Sequence, residues 1–247
     1  MIRLLNKYLI YLFIWVGMKW IKKRYYIPFI ELTKNPKLNQ WNLLNNILHQ
    51  NKKTSYGIKH KFISIKSYQD FQNLIPINEY EDLRYYIEQQ EQSGKPYLNS
   101  QQPVMYAQTS GTTGEPKNIP ILDTSIESYK RNQSLFSYTQ YNFDCNVYSG
   151  KILAIVSPDV EGKLSTGTPY GAISGLIYKS LPALIKRSYL LPFEIFTVSD
   201  YELKYYLICA FALMSENITL IATPNPSTIL RLKDIIDENF EKLLSDI

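Results

Sequence analysis

The sequence predicts an α/β fold, with a mainly helical segment over residues 1–100 and an α/β segment over residues 101–247 whose sheet is largely parallel. Three observations carry that expectation. Apolar residues recur at helical spacing through the first hundred positions. An extended run, Pro103–Gln108, meets a Gly/Thr-rich loop and then a second extended run, Asn118–Leu122. The final third alternates β-branched runs with helix-capped periodic stretches, the pattern of strands separated by helices.

The chain of 247 residues suits one or two domains and can bury a sizeable core. Aromatics make up 14% and hydrophobics 45% of it, which excludes a disordered or low-complexity polymer. A net charge of +5 is mild and reads as solvated lysines that also tolerate anionic ligands. Lys22-Lys23-Arg24 lacks the repeated basic–aromatic pattern of a nucleic-acid binder. Cys145 and Cys209 form no CxxC, and His49 and His60 accompany no Gly-x-Ser-x-Gly elbow. No metal site, disulfide framework or hydrolase triad is therefore expected, and a reducing, cytoplasmic setting fits.

Taken in order, Tyr8–Met18 is an uncharged apolar run between Lys7 and Lys19. It is shorter than the roughly 20 apolar residues a spanning helix needs. A signal peptide is excluded by Lys19-Trp20-Ile21-Lys22-Lys23, where a small-residue cleavage site would stand. The run reads first as a packed N-terminal helix and second as a membrane-surface attachment through residues 8–20. Pro28 and Pro36 punctuate its exit. A helix over Leu38–Gln50 carries Trp41, Leu44, Ile47 and Leu48 on one face, and shorter helices follow at Ser67–Asn73 and Glu79–Gln92. In the last of these Tyr80, Leu83 and Ile87 read as core, and Gly94-Lys95-Pro96 ends it.

Beyond the loop, Thr124 with Glu127 reads as a capping box opening a helix to about Gln140. Lys151–Ser157 reads as a buried strand and Pro158–Gly175 as a long polar loop. Phe193–Thr197 reads as a short strand. Ser199 with Glu202 reads as a second capping box, for a helix to Ser215. Ile218–Thr223 is a strand, and Asn225-Pro226 opens a last helix over Ser227–Leu244.

The stretch that carries chemistry is Thr109-Ser110-Gly111-Thr112-Thr113-Gly114-Glu115-Pro116-Lys117. Glycines let successive amides turn inward into an anion nest, hydroxyls add donors, and Lys117 supplies a charge. A Walker A loop needs Gly-Lys-Ser/Thr running into a helix. Here Glu115-Pro116 intervenes and Pro120 disfavours helix before it, so the arrangement is strand–loop–strand.

That order closely resembles the phosphate loop of the adenylate-forming enzymes, the superfamily of acyl-CoA synthetases and luciferases. The upstream stretches Tyr56-Gly57, Tyr68-Gln69-Asp70-Phe71 and Ile75–Leu83 narrow the resemblance to the GH3 (auxin-responsive promoter) family of acyl-acid amido synthetases. The resemblance spans roughly Trp41 to the last residue and implies the N-terminal part of the large domain of such an enzyme. It implies ATP and Mg²⁺ as cofactors, with Thr109, Ser110, Gly111, Thr112, Thr113, Gly114 and Lys117 holding the phosphates. It also implies an acyl-substrate pocket near Thr168, Tyr170, Gly171 and Ser174, where a plain surface loop is an equal reading.

The implied chemistry is ATP-dependent adenylation of a small-molecule carboxylate, then conjugation to an amino acid acceptor. The superfamily's later adenine, ribose and hinge motifs are not recognisable. The chain therefore reads as a truncated adenylation domain, inactive alone, with a separate C-terminal half as its implied partner. Two other readings stay open: another adenylate-forming ligase with a thiol acceptor, and a non-catalytic nucleotide- or partner-binding remnant.

Overall fold

The computed structural model describes the backbone of residues 2–109 and 115–247, and side chains for residues 11–108 and 115–247. Six helices precede the first strand: α1 (Ile2–Ile21), α2 (Ile27–Thr33), α3 (Pro36–Asn51), α4 (Ser55–Lys59), α5 (Tyr68–Leu74) and α6 (Tyr80–Ser93). A hairpin of β1 (Met105–Thr109) and β2 (Lys117–Ile121) follows, then α7 (Asp123–Phe143) and β3 (Lys151–Ala154). β4 (Gly162–Lys163), β5 (Pro169–Gly171), α8 (Ile173–Ser180) and α9 (Ala183–Lys186) come next. The chain continues through α10 (Tyr201–Leu213), β6 (Ile218–Ala222), α11 (Ser227–Glu238) and α12 (Phe240–Asp246).

The α/β class holds. One sheet runs β2-β1-β5-β4 and a second pairs β3 with β6. Pairings β1–β5 and β3–β6 are parallel, while β1–β2 and β4–β5 are antiparallel. Contacts divide the chain into two units, one of residues 1–26, 129–159 and 172–247, the other of residues 27–128 and 160–171.

In the first unit β3 is flanked on both sides, by β6 and by Ser188–Leu190, whose backbone bonds Ile152 at 2.8 and 2.9 Å. Its core gathers Leu153 and Ile155 with Leu191, Ile195, Phe196, Tyr205, Ile208, Leu232, Ile235 and Leu243. Cys209 lies in the same cluster, and burial pushes its thiol up to about 11. Such a buried thiol stays protonated and inert.

In the second unit Thr54 caps α4. Its hydroxyl accepts the Gly57 N–H at 2.9 Å and donates to the Asn51 carbonyl at 2.8 Å. Gly57 is required there, because a Cβ would stand 2.1 Å from the Asn51 carbonyl oxygen. The buried Gln90 side chain donates to the Gln101 carbonyl and accepts the Leu98 and Asn99 amides, which shapes the turn into β1. Gly94, with φ +67°, ends α6 in the left-handed conformation that glycine adopts without strain.

Several local expectations are corrected. Phe193–Thr197 is a 3₁₀ turn, not a strand. A 3₁₀ turn puts residues three apart on one side, so Phe193 and Phe196 both meet Tyr178, at 5.5 and 6.2 Å between ring centres. In a strand those two rings would point to opposite faces. The cap of α10 is Asp200, which accepts the Leu203 N–H at 2.9 Å, and Ser199 lies one residue outside. Helix α7 begins at Asp123, before Thr124, and the Leu122 carbonyl accepts its first amides. The last helix is broken at Asn239, whose side chain donates back to the Ile235 carbonyl at 3.0 Å. Beyond Pro28 the chain stays helical. A π turn, Lys22–Tyr26, widens the spiral just where the proline ring would meet the Arg24 carbonyl.

The stretch Pro158–Gly175 is not a structureless loop. It supplies β4, β5 and the start of α8, because the outer edge of β1 is open to a parallel partner. No helix among the described residues is long and apolar enough to cross a membrane.

Candidate functional site

The β1–β2 hairpin holds the ends of the glycine-rich loop in register, with Thr109 opposite Lys117. Met105 and Tyr106 of β1 are buried, as is Ile121 of β2, and this packing fixes where the loop leaves and re-enters the sheet. Ser110, Gly111, Thr112, Thr113 and Gly114 lie outside the described residues, as does the Thr109 side chain. Lys117 is exposed at the first position of β2, its Nζ 5.7 Å from the Tyr80 ring centre.

Strand β2 is a sheet edge, and its outward groups at Asn118 need a partner. Helix α6 provides one. The Tyr80 hydroxyl accepts the Asn118 N–H at 2.8 Å and reaches the Asn118 carbonyl at 3.3 Å. The Tyr80 ring then lies beneath both Lys117 and Arg84, whose guanidinium is 4.9 Å away. Thus Tyr80, expected to be simple core, instead seals the strand beside the loop.

Charge is divided unevenly here. Arg84 is engaged by Glu81 at 2.6 Å, Glu115 at 3.6 Å and Glu88 at 3.7 Å. The hydrogen bond from Arg84 holds the Glu81 carboxyl below its usual range, with a smaller push from Lys117. Among the described residues no carboxylate lies within ion-pair distance of Lys117 itself. Among the described residues the ammonium at the loop's end thus has no ion-pair partner, while the neighbouring guanidinium is engaged by three carboxylates.

Replacing Tyr80 with phenylalanine should cost about 1 kcal/mol, the lower end for orphaning a partly wet backbone donor. Amide hydrogen exchange at Asn118 should rise with it. An Asn118 amide exchanging at its original rate would show that the hydroxyl does not hold the strand.

Behind the hairpin, Tyr106 is 1% exposed, and among the described residues no group stands in hydrogen-bond geometry to its hydroxyl. Burial, aided by the Glu91 carboxylate, keeps it protonated far above the ordinary phenol range. Glu91 in turn accepts the Thr166 hydroxyl, which ties the β4–β5 turn to α6.

The four pocket residues expected from the sequence fall in both units. Thr168 closes the β4–β5 turn, its carbonyl accepting the Leu164 N–H at 2.9 Å. Tyr170 and Gly171 form the parallel pairing with β1, opposite Tyr106 and Ala107. The Tyr170 hydroxyl lies against Gly162, where a Cβ would be 2.4 Å away. Ser174 belongs to the other unit, at the start of α8, where its Oγ accepts the Ser157 N–H at 3.2 Å. Gly175 beside it has no room for a Cβ, which would sit 2.4 Å from the Ser157 carbonyl.

Tyr80, Arg84, Asn118 and Tyr106 were not singled out as site residues by sequence reasoning. The available signal was the i,i+4 spacing of Tyr80 and Arg84 on one helical face. Nothing local says that this face meets β2.

Residues 27–247 match the GH3 family N-terminal domain. The chain belongs to the GH3 family. Indole-3-acetic acid-amido synthetase GH3.2 of Arabidopsis thaliana is 26% identical over 231 residues, covering 90% of this chain and 42% of the relative. The solved GH3.15 acyl acid amido synthetase superposes with a TM-score of 0.75 at 24% identity, over 89% of this chain and 39% of that one. A structure described as AtGH3.15 acyl acid amido synthetase in complex with 2,4-DB gives 0.66 at 24% identity, over 83% and 36%. The chain thus spans about two fifths of the length of the GH3 relatives it matches.

Proposed function

We propose that this chain forms the ATP-phosphate-binding part of a GH3 acyl acid amido synthetase. The observation that supports this best is Lys117, without an ion-pair partner among the described residues, at the end of a Gly/Thr loop in a chain matching the family's N-terminal domain over residues 27–247. Thr109 through Gly114 would offer amides and hydroxyls to the β- and γ-phosphates, and Lys117 would follow the departing pyrophosphate. The described residues contain no cluster of acidic, histidine or cysteine side chains fit to hold a metal. Mg²⁺ would supply further charge neutralisation on the phosphates beside Lys117.

The carboxylate nucleophile is already an anion, so no general base is needed for the first step. The protein's work is positioning and charge neutralisation. An amino acid amine then displaces AMP from the activated acid. Relatives named for indole-3-acetic acid, and one bound to 2,4-DB, point to small acyl acids as the substrate class.

The test is carboxylate-dependent ATP–pyrophosphate exchange. Residues 1–247 alone should give none, and residues 1–247 supplemented with the C-terminal half of a GH3 relative should give exchange and, with amino acids, an amide. Robust exchange by residues 1–247 alone would refute the division of labour. Thioester formation with coenzyme A in place of amide would move the chain to the acyl-CoA ligases.

A further inference from the structure

Residues 1–26 precede the match to the family domain, and the proposed chemistry makes no use of them. Among its described side chains, helix α1 buries one stripe. Ile14 and Met18 pack on Tyr138 of α7, with Ile21, Tyr26, Tyr141 and Tyr148 around them. At 100° per residue the opposite stripe carries Leu12, Trp15, Val16 and Trp20. These are large apolar side chains left 55, 46, 52 and 56% exposed. Such a stripe is costly in water and marks a contact surface.

Its charge names the partner. The first thirty residues hold no Asp or Glu, and Lys19, Lys22, Lys23 and Arg24 sit at the C-terminal end of the exposed stripe. None of these four has a carboxylate at ion-pair distance among the described residues. Two of them lie against aromatic rings, Lys19 3.5 Å above Trp15 and Arg24 5.5 Å from Tyr25. Trp20 and Tyr25 meet edge to face at 5.4 Å. Apolar side chains, ring-bearing amphipathic ones and unpaired cations along one helix are what the boundary of a bilayer accepts. The surface is a convex helical face, not a groove shaped for a peptide. No helix among the described residues is long and apolar enough to span.

We propose that the exposed stripe of α1 and the cations Lys19–Arg24 dock this protein on an anionic phospholipid surface. The helix lies in the plane of the interface, with Leu12, Trp15, Val16 and Trp20 among the acyl chains. Lys22, Lys23 and Arg24 face the headgroup phosphates, while Ile14 and Met18 keep the helix attached to α7.

The test is co-sedimentation of the full chain with phosphatidylcholine vesicles, with and without phosphatidylserine. Partition should be about tenfold or more higher with phosphatidylserine, since each basic residue near the surface adds to it. In a Trp41→Phe background, emission from Trp15 and Trp20 should move to the blue on binding and be quenched by brominated acyl chains. The variant Lys22→Glu/Lys23→Glu/Arg24→Glu changes only exposed side chains. It should keep its circular dichroism and lose about tenfold or more of the partition. Equal partition to both vesicle types, unshifted emission, or full binding by the charge-reversed variant would overturn the proposal. So would a soluble dimer that Trp15→Ser/Trp20→Ser dissociates in the absence of lipid, because the stripe would then be covered by a second copy.

Discussion

Replacing Phe196 with alanine should destabilise the first unit by about 3–5 kcal/mol, the usual cost of emptying a buried phenylalanine site. Phe196 is 1% exposed and sits among Leu191, Ile195, Ile208, Ile235 and Leu243, with Phe193 6.1 Å away ring to ring. Its neighbours come from the 188–197 segment and from three helices, and they cannot collapse together into one vacated site. A domain of ordinary stability has roughly 5–15 kcal/mol in hand, so the loss is a large share of the total. Denaturant unfolding followed by tyrosine fluorescence would read it as a lower midpoint. A midpoint shifted by under about 1 kcal/mol would mean that the 193–197 turn is not part of the core.

Lys117→Ala should weaken ATP binding by about 1.5–3 kcal/mol, the range for a hydrogen bond to a charged group. That is a loss of roughly ten- to a hundredfold or more in affinity. The expectation rests on the proposed phosphate role of the loop. Melting without nucleotide should barely move, because the side chain is exposed and its contact with the Tyr80 ring contributes only about 0.5–1 kcal/mol. Calorimetric titration of ATP into the protein supplemented with the C-terminal half of a GH3 relative would measure the difference. Equal affinity in variant and parent would remove Lys117 from the site.

The two experiments probe different layers. The Phe196 cluster concerns only packing, so its outcome says nothing of nucleotide. Lys117 lies on an edge strand whose position depends on Tyr80, so its variant must be compared with Tyr80→Phe. A loss of ATP affinity in both would indicate placement of the loop; a loss in Lys117→Ala alone would indicate charge.

Much of this protein was legible in the chain itself. The order Ser110-Gly111-Thr112-Thr113-Gly114-Glu115-Pro116-Lys117 is a local signature, and the family match over residues 27–247 agrees with the family it suggested. Proline at 120 excluded a helix after the loop, and β2 is there. Glycine at 94 closed α6, and asparagine at 225 reaches the first amide of α11 at 3.0 Å. These features depend on residues within one or two turns of each other, so the sequence alone determines them.

What the tertiary structure decided is everything that needs a partner far along the chain. The stretch 158–175 has the composition of a loop, yet it became strands because β1 presented a free edge. Phe193–Thr197 has the composition of a strand, yet it turned 3₁₀ because both its rings are buried on one side with Tyr178. Tyr80 has the spacing of a core residue, yet its hydroxyl was taken by the unpaired backbone of Asn118. Hydrogen-bonding groups at a sheet edge and rings at a core boundary have no preferred local answer. Their conformation follows from which donors, edges and apolar surfaces the rest of the fold leaves open.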